Sequence, residues 1–142
     1  MRSRWASERG LATVEVVLWV PALLLVVALM AYGARVEIGK QKVQSAAEEA
    51  ARTASISRSE AQALTDANTV ALRALAEHEV TCVNQSIQVD TSAFAAPVGT
   101  PGDVRVTITC DVDMGMVWVP GAPPSFHAEA TALSPLDTYR ER

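Results

Sequence analysis

A single carboxylate, Glu15, stands five residues after Gly10 inside an apolar run that extends from Leu11 to Ala34. Its position raises two kinds of chemistry. One is hydrolysis of the Gly10–Leu11 peptide bond at the edge of a membrane helix, with Arg2, Arg4 and Arg9 just before the run. The other follows from the first. Such a cut creates an ammonium at Leu11, and Glu15 lies one helical turn from it, placed to pair with it in its own chain or in a neighbour. A plainer reading also fits: Glu15 is an interfacial residue and the span begins at Val16.

Two thiols, Cys82 and Cys110, offer a second chemistry. They lie beyond the apolar run, and an even count in such a position points to a disulfide in an oxidising compartment. A bridge between them closes a loop of 28 positions and contributes about 3.5 kcal/mol in the chain-entropy account. The two histidines, His78 and His127, stand in no HExxH or CxxC context, and no glycine-rich phosphate loop occurs. No cofactor, no metal site and no enzymatic activity are therefore expected. Asn84-Gln85-Ser86 matches a glycosylation sequon, a frequent chance pattern.

The elements that position these groups follow from patterning. The chain of 142 residues has room for one domain and an anchor. Leu11 to Ala34 spans about 36 Å as a helix, enough to cross a hydrocarbon core of about 30 Å. Both flanks of the run are basic, so the charge signal for orientation is moderate; the cysteines add to it, placing the N-terminus inside and the domain outside. The net charge is −4, which argues against nucleic acid as a partner. Pro21 predicts a kink near Val17, with simple tolerance in a membrane helix as the alternative. Ala31-Tyr32-Gly33 also satisfies the small-x-small rule of an ordinary signal peptidase, which would release a secreted chain beginning at Ala34; the length of the run and its interruption by Glu15 and Pro21 argue against it.

Past the membrane, Val36, Val43, Ala47, Ala50 and Ala54 mark one apolar helical stripe, expected to pack in its upper half on the protein's own sheet. Gly33 and Gly39 are expected weak points in that helix. Ser57-Arg58-Ser59-Glu60 reads as a capping box opening a second helix, with Leu64, Ala67, Ala71 and Leu75 as its buried face, widened by Leu72. Val104 to Asp113 alternates cleanly for a half-buried strand. Earlier and later strands are expected at about 82–90 and 125–133, with helices at about 35–56 and 58–79. Met114-Gly115-Met116-Val117-Trp118-Val119-Pro120-Gly121 is too apolar for an ordinary exposed connection. Met116, Val117 and Trp118 either fold back on the core or form a tip that docks a partner or touches the membrane.

Taken together, these residues carry a family resemblance. Gly10-Leu11 followed by Glu15 resembles the recognition site of class III prepilin peptidases. Arg9-Gly10, Val14-Glu15 and Pro21 with its leucine-rich run resemble TadE-like pseudopilins of Tad (Flp) pilus systems. Val104 to Cys110 resembles the strand bearing that family's second cysteine, and Ala130-Thr131-Ala132 with Pro135 to Arg140 resembles its common ending. Val16 stands where major Flp pilins usually carry tyrosine, and those pilins are much shorter, which implies a minor pseudopilin. The resemblance implies a leader at 1–10 removed by a prepilin peptidase, a transmembrane helix at 11–34 and an extracytoplasmic domain at 35–142. It also implies a bacterial inner membrane location and partners among other pilins or pseudopilins, the assembly machinery and the lipid bilayer. The expected fold class is α+β: a long N-terminal transmembrane helix, a second helix and a small three-stranded antiparallel sheet, pilin-like. The alternative is a secreted or membrane-anchored binding domain.

Overall fold

The computed structural model describes residues 5–97, 99–115 and 119–136, with side chains from Glu15 onward. A single helix, α1 (Trp5–Ser55), runs for 51 residues. After it come α2 (Glu60–Glu77) and three strands, β1 (Cys82–Asp90), β2 (Asp103–Asp113) and β3 (Ser125–Pro135), with a short 3-10 turn at Ser92–Ala95. The strands pair antiparallel in the order β1-β2-β3. The architecture is α+β, as the patterning predicts.

The C-terminal half of α1 is the centre of the domain. Val43, Ala46, Ala47, Ala50 and Ala54 are fully buried against α2, β2 and β3. The small-residue stripe thus packs within the chain, as expected for its upper half. Opposite it, β2 presents Val104, Val106, Ile108, Cys110 and Val112, and β3 presents Ala128, Ala130 and Ala132. Strict alternation on β2, the central strand, follows from one face meeting helix and the other meeting water.

Two local expectations are corrected. The buried face of α2 is Ala63, Ala67, Ala71, Ala74 and Leu75, while Leu64 is half-buried and Leu72 is 45% exposed. An alanine seam lets α2 approach the alanines of α1 closely; leucines there would force the helices apart. The cap of α2 is Ser59, whose Oγ accepts from the Gln62 amide. Ser57 is instead buried, and its hydroxyl lies 3.1 Å from Asp66 Oδ2 and 3.2 Å from the Thr53 carbonyl. On β1, Val83 is 64% exposed. A bulge between Cys82 and Gln85 inserts an extra residue, so Cys82, Ile87 and Val89 all reach the inner face despite their mixed parity.

Neither Gly33 nor Gly39 interrupts α1. Gly39 has a packing role: a Cβ built there falls 2.6 Å from the tip of the Phe126 ring. Phe126 is the inner-face residue of β3 opposite Val112. Gly39→Leu is therefore expected to cost about 1–3 kcal/mol through overpacking. In a double-mutant cycle by chemical denaturation, Phe126→Ala should return part of that loss.

Candidate processing site and membrane segment

Gly10 and Leu11 both lie within α1, so the bond between them is part of continuous helix. Glu15 is four residues beyond Leu11, about 6 Å along the axis, and its side chain is exposed. The two positions expected to carry the processing chemistry therefore share one helical segment, spaced by one turn. The kink expected at Pro21 does not end the helix, which continues through it.

The surface that follows is apolar on every side. Val16, Val17, Leu18, Trp19, Leu23 and Leu24 are 59–69% exposed, and Met30 reaches 70%. A helix apolar all round and buried against nothing suits a bilayer or the interior of an assembly. By length and composition, this is the one helix among the described residues able to cross a membrane. Contact with the domain begins at Tyr32, whose hydroxyl donates to the Pro123 carbonyl at 3.4 Å, and strengthens at Gly39 and Val43.

Cys82 and Cys110 form a disulfide, with their Cα atoms 5.4 Å apart. The β1 bulge makes this possible. It pairs Cys82 with Val112 and turns its side chain to the inner face, diagonal to Cys110, whose own partner is Gln85. The bridge fastens the edge strand β1 to the centre of the sheet.

Met116, Val117 and Trp118 lie outside the described residues. The flanking Met114 and Val119 are both buried, and the Met114 amide donates to the Pro124 carbonyl at 2.8 Å, closing the base of the connection.

The outer face of the sheet carries a polar group that the sequence reading did not single out. His127 Nδ1 lies 2.8 Å from Asp111 Oδ1, and Asn84 Nδ2 donates to Asp111 Oδ2 at 3.2 Å. These residues come from three different strands, and the cross-strand register Asp111↔His127 is what joins the pair. Clean alternation of β2 placed Asp111 outward, but no signal in the sequence pairs it with His127. The contact with His127, followed by that with Asn84, holds the Asp111 carboxyl below its usual range. Asp90 is lowered too, chiefly by the Ser92 amide. A depressed carboxylate stabilises the fold above its unfolded value near pH 4, and that contribution disappears as pH falls through the folded value. Asp111→Asn should thus lower the melting temperature slightly near neutrality, where the carboxylate's contribution is present, and the two curves should converge as pH falls below about 4, as thermal melts across pH would show.

Residues 10–52 match the family model for TadE-like protein. No curated protein and no solved structure matches the chain. The matched stretch begins at Gly10 and covers α1 almost to its end, including the apolar exposed segment and the alanine stripe. Over that helix the chain is similar to TadE-like proteins.

Proposed function

We propose that the chain is a minor pseudopilin in the assembly of a Tad/Flp-type pilus, with a structural role and no catalysis. The observation that carries this reading is the family match, which begins at Gly10 and runs along a helix that leaves the domain as an unpartnered apolar rod. A prepilin peptidase cuts between Gly10 and Leu11. The leader 1–10 stays on the cytoplasmic side, residues 11–34 span the inner membrane, and residues 35–142 lie outside the cytoplasm. The Cys82–Cys110 bridge supports that side for the domain, since disulfides persist in oxidising compartments.

Processing requires local opening of α1, because a helical peptide bond is closed to a protease cleft. Gly10 eases this by its low helix propensity, a penalty of about 1 kcal/mol relative to alanine. After the cut, the Leu11 ammonium and the Glu15 carboxylate neutralise one another in a low-dielectric setting, in the same chain or between neighbours. Loss of the leader also removes Arg2, Arg4 and Arg9, so the mature helix carries less charge when it is drawn from the bilayer into an assembly with other pilins or pseudopilins.

Deletion of the gene in its own host, read by electron microscopy of surface filaments, tests the role. Filaments should be lost, and restored by the intact chain but not by Glu15→Ala inserted at equal level. Normal filaments in the deletion strain would refute an assembly role.

A further inference from the structure

Beside the point where α1 enters the domain lies a groove of about 320 Å³. Its walls come from α1, from the end of α2 and from the end of β2. Arg35 and Lys42 supply two cations, one wall apart from Glu79 and Asp113, which supply two carboxylates; Ile38 and Met114 supply the apolar surface between. None of the four charged side chains makes an ion pair with a described residue. Asp113 uses one oxygen to accept from the Gly115 amide and receives no such bond on the other from a described residue.

Glu79 adds a backbone observation. It has φ 55°, the left-handed position just after α2, where the Val80 amide reaches back to the Leu75 carbonyl. Glycine is the usual occupant of that position because a Cβ is strained there. Glu79 is held there in spite of the strain, and it lines the groove.

The groove's height along the helix is also informative. Arg35 is the first residue after the apolar run. Lys42 is seven residues further, about 10 Å, and its long stem can reach back along the helix. The headgroup layer is about 5–7 Å deep on each side of the hydrocarbon core. Tyr32, tied to Pro123, brings the lower end of the domain down to the end of the run.

We propose that this groove binds the headgroup of a zwitterionic phospholipid bearing a primary amine, of the phosphatidylethanolamine class. The phosphate lies between Arg35 and Lys42, and the ammonium donates to Glu79 and Asp113. A ligand with both charges fits a groove with both charges, whereas a simple anion would face two carboxylates. A primary ammonium has three N–H donors for those carboxylates; the quaternary ammonium of phosphatidylcholine has none. Ile38, 50% exposed on the same rim, lies between the two cations at the height of the phosphate. The inference rests on residues 11–34 spanning the membrane.

The test uses the full-length protein in nanodiscs containing equal amounts of phosphatidylethanolamine and phosphatidylcholine, with retained lipid counted by native mass spectrometry. Retention should favour phosphatidylethanolamine by about tenfold, the discrimination of one charge-assisted hydrogen bond. Arg35→Gln with Lys42→Gln should lower total retention, and Asp113→Asn should remove the preference. Glu79→Gly should remove the preference while raising the melting temperature, since it relieves the strained turn; a merely structural Glu79 would not separate the two readouts. Lys40→Gln, a cation paired with Glu37 outside the groove, should change neither. Insertion with equal retention of the two lipids overturns the inference alone. So does a preference for phosphatidylglycerol over phosphatidylethanolamine in the matching nanodiscs, which would mean that the cations act without the carboxylates. Failure to insert overturns the membrane reading and this inference with it.

Discussion

Replacing Cys82 and Cys110 together with alanine is expected to destabilise the domain by about 3.5 kcal/mol, the loop-closure entropy returned to the unfolded chain. For a domain of about this size, each kcal/mol corresponds to roughly 4–8 °C, so the melting temperature should fall by roughly 14–28 °C. The magnitude is large because the core is thin. Its buried side chains are mostly alanine and valine, with Ile108, Leu75, Phe94 and Leu136 as the larger members. The bridge also does work that burial cannot do at β1, whose outer residues are exposed and whose inner residues are only half-buried. Circular dichroism melts of the oxidised, reduced and double-alanine proteins measure the effect, and the last two should nearly coincide.

Ile108→Ala should cost about 2–5 kcal/mol, through lost transfer free energy and the void left behind. Ile108 is fully buried at the middle of the central strand, paired with Ile87 on β1 and Ala130 on β3. Alanine at 130 and the alanines of α1 have no reach with which to fill the space. Denaturant unfolding should show a lower midpoint with an unchanged slope. Ile108→Val, by contrast, should cost about 0.5–1.5 kcal/mol. Ile108 and Cys110 are neighbours on one face of β2, so combining this change with loss of the disulfide should depart from simple addition.

Those two sites differ in how plainly the sequence declares them. Ile108 lies in the alternating run Val104 to Asp113, where period two reads directly as one buried and one wet face. The cysteines suggest a bridge by number and location, but the geometry that permits it depends on the bulge after Cys82. A bulge breaks the parity of a strand and leaves no periodic trace. On α2 the pattern misled in another way. Leu64 and Leu72 are the larger apolar groups, yet α1 offers alanines, and close helix approach selects the small residues Ala63 and Ala74 instead. Ser59 rather than Ser57 caps α2 because Ser57 is used in a buried contact with Asp66, a tertiary choice invisible to local capping rules.

The candidate sites divide in the same manner. Gly10, Leu11 and Glu15 belong to one short segment, so their relation is legible as spacing along a helix. The groove residues Arg35, Lys42, Glu79 and Asp113 come from three separate elements, and nothing along the chain brings them together before the fold does. Asp111 and His127 likewise meet only through the register of β2 with β3. Local spacing carries over into structure; juxtaposition across the sheet must be observed.

The central claim is that a prepilin-type cut makes a mature helix beginning at Leu11, with Glu15 one turn from the new amine. N-terminal sequencing of the chain recovered from membranes of its own host tests this most directly. A first residue of Leu11 is the predicted result. A start at Ala34, as ordinary signal-peptidase cleavage would give, or an intact Met1, as a plain anchor would give, would contradict it.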